Sequence, residues 1–275
     1  MQITLIGAGG KMGLRLTKNL MHSVHRVAYA EISDTGKERL GELGITVTDA
    51  ADEVPHSDAV ILAVPDMLLG KISQEIVPMM KTGAMLVTLD PACALAGVIC
   101  QRDDLSFFIT HPSHPSVFNW EKTEEAQRDY FGGTLARQAI VCALHSGPEE
   151  DYQKGEELAK IIYAPVRKAF RITAEQMGLL EPALVETLCS SLQVVVKRGL
   201  DIVISKGVPA EAAKEFLLGH ISIQLAVIYG QIPGAVFSDA ANKAIERGIP
   251  LLLKEDWPRV FDPENVAGQI RDITR

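Results

Sequence analysis

The first thirteen residues restrict what this chain can fold into more than any other stretch. An apolar run with Ile3, Leu5 and Ile6 leads straight into Gly7, Gly9, Gly10 and Gly13, and a helical pattern follows over residues 11–22. Strand, glycine turn and helix in that order open a βαβ unit. Glycine there permits a tight turn, close approach of backbone to a pyrophosphate, and close packing of the helix on the sheet. The free N–H groups and positive dipole end of the helix then face a phosphate. From Gly7 the spacing reads G-x-G-G-x-x-G, which departs from the standard G-x-G-x-x-G by one residue of loop.

Glycine-rich turns also occur without a ligand, so the following residues carry weight. A second apolar strand over residues 25–32 bears Glu31 near its end, about 20 residues beyond the glycines. A dinucleotide fold places there the carboxylate that accepts the adenosine ribose hydroxyls. A carboxylate at that point repels a 2′-phosphate, so Glu31 argues for NAD over NADP, while Lys37 and Arg39 nearby are charges that argue the other way. The bland alternative is a solvated strand-end carboxylate.

The pattern continues with a helix over residues 34–43 closed by Gly44, a short strand at 45–48, and a continuous apolar strand at 58–66 stopped by Pro65. Continuous apolar runs mark parallel strands covered on both faces. Ligands in such sheets sit beyond the strand carboxyl ends, which puts Val64, Pro65 and Asp66 beside the cofactor crevice. A helix at 67–80, strands at 83–89, 105–110 and 138–144, and a helix at 149–162 complete the alternation. The fold class is α/β, a Rossmann-type doubly wound sheet over residues 1–172, followed by an all-α domain over residues 173–275. The boundary rests on Thr173 and Gln176, which have capping-box spacing, and on the helical periodicity beyond them. Further helices fall at 209–229, 238–247 and 264–274. A helical domain this apolar is expected to pack on a second copy of itself as a homodimer.

At a net charge of −8 the chain has no basic run, which argues against nucleic acid and anionic membrane as partners. The longest apolar stretch, residues 216–237, is interrupted by His220, Gln224, Gln231 and Pro233 and reads as buried helix. Cys93, Cys100, Cys142 and Cys189 lie in apolar segments without C-x-x-C spacing, as expected of buried thiols in a reducing, cytoplasmic setting. The N-terminus opens on a strand, so no secretory signal is expected.

Two places could carry chemistry. His111-Pro-Ser-His114-Pro-Ser follows the strand ending at Thr110, and its prolines favour an extended path that would put His111 and His114 on one face. A histidine at the carboxyl end of a parallel strand stands at the mouth of the crevice, where imidazole can act as base or metal ligand. In the helical half, Glu181 is followed at helical spacing by Val185, Leu188 and Leu192, which places it on an apolar stripe where a carboxylate needs a partner. Pro182 should kink the helix or start a new one; in the second case Glu181 becomes an exposed N-terminal residue. Asn119, Trp120 and Lys122 could line the pocket.

With Gly7 to Gly13, Glu31, Val64, Pro65 and the helical C-terminal half, the chain resembles the β-hydroxyacid and 6-phosphogluconate dehydrogenase superfamily. Those enzymes carry a catalytic lysine, and an asparagine four residues later, on the first long C-terminal helix. The corresponding region here, residues 181–188, holds neither. The His-Pro repeat and Glu181 resemble a branch of NAD-dependent oxidoisomerases of sugar-acid catabolism. The resemblance implies oxidation of a secondary alcohol of a sugar acid, with or without a coupled 1,2-shift of a carbon group. It implies His111 as base or metal ligand, Glu181 as its catalytic or metal-holding partner, and Gly10, Lys11, Met12 and Gly13 with Glu31 as the cofactor grip beside Gly7 and Gly9. The cofactor is then NAD, with a divalent metal as a candidate. Two alternatives stand: a plain NAD(P)-dependent hydroxyacid dehydrogenase or reductase, and a dinucleotide-sensing protein without catalysis.

Overall fold

Strand β3 (Ala59–Leu62) shows how the sheet is assembled. Ala59 and Ile61 enter one apolar cluster and Val60 and Leu62 the other, because successive side chains point to opposite faces. The same alternation runs through β4 (Met85–Thr88) and β5 (Ser106–Pro112), where Phe108 takes one face and Phe107 and Ile109 the other. Both faces are therefore covered, the condition under which parallel strands read as continuous apolar runs.

The computed structural model describes residues 1–274, which divide into two units: residues 1–180 with the C-terminal segment from Ala267, and residues 181–266. The first unit holds a seven-stranded sheet in the order β2-β1-β3-β4-β5-β6-β7, with β1 at Gln2–Ile6, β2 at Arg26–Ala30, β6 at Gln138–Ser146 and β7 at Val166–Arg171. Strands β1 to β5 pair in parallel, and helices α1 (Lys11–Leu20), α2 (Asp34–Glu42) and α3 (Asp66–Ile76) connect the first of them. The order reverses direction at β1, between β2 and β3, which is where such sheets open a ligand crevice at their carboxyl ends. Helix α4 (Asp151–Ile162) links β6 to β7.

The doubly wound sheet is as expected, with three differences. Residues 45–48 form no strand; Thr48 alone reaches the outer edge of β2, donating its N–H at 3.0 Å and its hydroxyl at 3.4 Å to the Tyr29 carbonyl. Strand β6 runs antiparallel to β5, so the alternation is not uniform. Strand β7 was not foreseen, since its burial follows no period-two pattern that its sequence could announce.

Thr173 caps helix α5 (Ala174–Ser205) as its spacing predicts: its hydroxyl accepts from Gln176 N–H, and Gln176 Oε1 accepts from Thr173 N–H at 2.9 Å. Ala174 and Met177 are buried in the sheet's apolar cluster. This helix thus starts in the first unit, and the division falls at the Leu180–Glu181 bond rather than at residue 173. Over Leu179–Ser190 it widens to π-helical winding around Pro182, which lacks an N–H and whose ring would strike the carbonyl four residues back in an α-helix. The change of winding breaks the stripe expected for Glu181: Val185 and Leu192 are exposed, while Pro182 and Ala183 are the buried neighbours.

The second unit continues with α6 (Ala210–Ile228) and α7 (Asp239–Leu252), and helix α8 (Pro263–Ile273) follows. Large apolar side chains stay exposed on α5, α6 and α7, among them Val195 and Ile202 on α5, Phe216 on α6 and Leu251 on α7. Helix α5 is long and apolar enough to cross a membrane by length and composition. Cys93 and Cys142 are buried as expected, and burial pushes their thiols up to about 12 and about 11, but Cys189 on the π-helical stretch is exposed.

Candidate functional site

The carboxyl ends of β1, β2 and β3 surround a cavity of about 860 Å³, within the range of small-molecule and cofactor sites. Gly7, Gly10, Glu31, Lys37, Val64 and Pro65 line it, together with Ser33, Thr48, Asp49 and Leu68, which sequence reasoning did not single out as ligand-facing. Gly7 has φ +80°, and a side chain there would strike the Ala63 carbonyl, so only glycine brings the loop this close to β3. Gly9, Lys11, Met12, Gly13 and Asp66 do not line the cavity. Gly13 serves the close packing of α1 on the loop, since a Cβ there would lie 1.9 Å from the Gly7 carbonyl oxygen. Gly9 packs on Gly36, Met12 joins the apolar core, and Asp66 begins α3.

Glu31 is tightly held. Its Oε1 accepts from Ile32 N–H, Ser33 N–H and the Ser33 hydroxyl, each at 2.9 Å, and its Oε2 accepts from Gly9 N–H at 2.9 Å. Burial works to raise this carboxyl's pKa, but the hydrogen bonds from Ser33, Gly9 and Ile32 together lower it below the ordinary value. Arg39 donates to the Gly9 carbonyl at 3.3 Å, so the two peptides that flank Gly9 are each held by one side chain.

At the carboxyl ends of β4 and β5 stands a second group. His111 lies within β5, and its Nδ1 is 2.7 Å from the Leu89 carbonyl. A carbonyl can only accept, so Nδ1 carries the proton and Nε2 keeps its lone pair. Burial lowers the His111 pKa against the opposing pull of the Leu89 carbonyl and the Asp90 charge, which favours the neutral ring. Asp90, Glu181 and His111 each offer one donor atom, all within 4.8 Å of one another. Glu181 stands one peptide bond past Leu180, on the helix whose first turn is buried in the sheet's core. Two carboxylates and a neutral imidazole are a donor set suited to a divalent cation that completes its shell with water or substrate oxygens.

Asp90 escaped sequence reasoning. The available signal was its position just past a parallel strand, the same logic that selected Pro65 and Asp66. Thr88 pairs with Ile109, and the same register carried two residues further sets Asp90 beside His111.

His114 comes near His111, though not along the extended path expected. It has φ +58°, the only non-glycine residue with positive φ among the described residues, and this turns its ring back to 6.4 Å from that of His111. Its Nδ1 bonds the Phe131 carbonyl at 2.9 Å. Asn119 is buried and donates to Glu121, whereas Trp120 is exposed.

A glycine-loop cavity at the switch point of a mostly parallel sheet, with a carboxylate fixed at the end of β2, defines the first unit as a Rossmann-type dinucleotide-binding domain. Residues 119–274 match the family of the phosphogluconate dehydrogenase (decarboxylating) C-terminal domain, and residues 1–124 match the acetohydroxy acid isomeroreductase NADPH-binding domain. A D-apionate oxidoisomerase of Cupriavidus necator is 51% identical over 274 residues, and one of Rhizobium rhizogenes 49% over 273, each spanning 99% of both chains. The crystal structure of a semialdehyde dehydrogenase NAD-binding protein from Cupriavidus necator, in complex with calcium and NAD, is 51% identical, covers 99% of each chain and superposes with a TM-score of 0.97. The chain belongs to the D-apionate oxidoisomerase family.

Proposed function

We propose that this chain is an NAD-dependent oxidoisomerase. It oxidises a secondary alcohol of a branched sugar acid of the D-apionate type and then shifts a carbon group to the neighbouring carbon. The observation that carries the reading is the convergence of Asp90, His111 and Glu181 at the same carboxyl edge of the sheet as the glycine-loop cavity. The cavity fits a dinucleotide because Gly7 leaves open backbone where any side chain would collide, and because Glu31 keeps an acceptor on Oε2 for a ribose hydroxyl. When bound, NAD supplies the hydride acceptor, and a divalent cation at the three donors supplies a Lewis acid for the carbonyl oxygen that forms.

The protein's own groups do the rest. Glu31 orients the adenosine end. His111 presents the Nε2 lone pair, as ligand to a cation or as acceptor of the hydroxyl proton, while the Leu89 carbonyl holds its ring. Asp90 and Glu181 bring two negative charges, which balance a divalent cation and keep that corner selective for cations.

Purified protein mixed with NAD and D-apionate should form NADH, and product analysis should show a rearranged carbon skeleton. Loss of turnover on chelation, restored by a divalent cation, supports His111 as ligand; turnover that survives chelation assigns it the role of base. An unrearranged oxidised product overturns the isomerase half, and NAD binding without NADH formation from any sugar acid overturns the enzyme reading.

We further propose that the exposed apolar faces of α5 and α6 meet a second copy of the chain. Helix α5 carries the Lys197–Asp201 ion pair on its exposed surface, which suits a protein interface with a wet rim better than lipid. Light scattering should return twice the chain mass, and Val195→Asp with Ile202→Asp should return the mass of one chain.

A further inference from the structure

The Glu31 carboxylate is confined more closely than binding a ribose requires. A Cβ at Gly36 would lie 2.5 Å from Glu31 Cδ, 2.6 Å from Cγ and 2.7 Å from Oε2, and one at Gly9 would lie 2.3 Å from the Gly36 carbonyl oxygen. Gly9, Glu31 and Gly36 therefore stack with no room for a methyl group at either glycine. Ser33 ties the stack together: its hydroxyl donates to Glu31 Oε1 at 2.9 Å and accepts from Gly36 N–H at 3.1 Å as the cap of α2.

We propose that Gly36 and Ser33 are positioning residues for cofactor choice: they lock the Glu31 carboxylate so that it cannot swing away from a 2′-phosphate. The proposal rests on the reading that this chain uses NAD. With three donors on Oε1, that oxygen is saturated, and only Oε2 retains capacity beyond its bond from Gly9. A freely rotating glutamate would yield to a 2′-phosphate and leave it to Lys37, which lines the cavity, and to Arg39, which already reaches Gly9. A locked one keeps a negative charge facing that phosphate. Discrimination then resides in the first turn of α2 as much as in Glu31 itself.

The test is fluorescence titration of NADH and NADPH, alongside kcat/KM with NAD and NADP, for wild type, Ser33→Ala, Gly36→Ala, Glu31→Gln and the Gly36→Ala/Glu31→Gln double variant. Gly36→Ala displaces the carboxylate and should cut the NADH-over-NADPH affinity ratio about tenfold, equivalent to about 1.4 kcal/mol. Ser33→Ala removes one hydrogen bond and should cut the ratio about threefold to tenfold. In the Glu31→Gln background Gly36→Ala should leave the ratio unchanged, because the group it acts through is no longer charged. A fall in affinity for both nucleotides by the same factor, or an equal change of ratio with and without the Glu31 charge, overturns the proposal. Should Gly36→Ala fail to fold, an unchanged ratio in Ser33→Ala does so alone. Wild-type protein that binds neither nucleotide refutes the NAD reading instead, so the two failures are distinguishable.

Discussion

Alanine at Gly13 should weaken the protein, whereas alanine at Gly41, also within a helix, should strengthen it. At Gly13 the new Cβ would sit 1.9 Å from the Gly7 carbonyl oxygen and 2.9 Å from the Ala8 carbonyl carbon. Helix and loop must part by roughly 1 Å to relieve this, an overpacking strain of about 1–3 kcal/mol. The movement also stretches the Gly10 N–H bond to Gly7 and the Thr17 hydroxyl bond to Ala8, both now 3.1 Å. Their weakening adds about 1 kcal/mol. Alanine's better helix propensity returns about 1 kcal/mol, which leaves a net loss of about 2 kcal/mol. For a chain of this size that lowers the melting temperature by about 4–8 °C. A Cβ at Gly41 meets nothing within 4 Å, so only the propensity gain of about 0.5–1 kcal/mol applies and the melting temperature should rise by about 2 °C. Thermal unfolding of both variants, with and without NADH, is the assay. NADH should protect Gly13→Ala less than wild type, because Gly7 and Gly10 line the cavity that the strain deforms. Equal shifts for the two variants, or a Gly13→Ala protein as stable as wild type, would refute the packing argument.

Other outcomes follow from the same structure. His111→Ala and Asp90→Asn should each lower turnover about 100-fold or more while NADH affinity stays within about twofold, since neither residue lines the glycine-loop cavity; a matched fall in NADH affinity would contradict the proposed roles. Thr173→Ala removes the capping hydroxyl of α5 and should cost about 1 kcal/mol, read as a lower midpoint in urea. Asp104 accepts both Arg102 nitrogens and the Thr82 hydroxyl, and the Arg102 bonds lead in lowering its pKa from 3.8 to about 2. A depressed carboxyl stabilises the fold above its unfolded pKa and loses that contribution as pH falls through the folded value. Wild type should therefore be more stable than Asp104→Asn at neutral pH, with the gap closing between about pH 4 and about pH 2; a gap independent of pH would show that the charge is not responsible.

What the sequence disclosed and what it hid follow from how far each signal reaches along the chain. The glycine loop, Glu31, Pro65 and the Thr173–Gln176 cap are local patterns, each fixed by neighbours within a few residues, and each is found where its spacing indicated. His111 was legible because it stands at a strand end. Asp90 was not, because its meaning comes from β4 lying beside β5 in a register that pairs Thr88 with Ile109, and no spacing along the chain encodes that pairing. Glu181 does not sit on the apolar stripe that its helical spacing indicates. The helical stripe fails once the winding changes at Leu179, yet the residue still stands with two other donors. Proline explains both facts: Pro182 cannot sit in an α-helical turn without strain, and the widened turn that accommodates it re-aims the residue just before it. A π-helical stretch costs regular hydrogen bonding and survives where it serves a site. One residue, Pro182, therefore accounts for both the lost stripe and the changed course of the helix that carries Glu181.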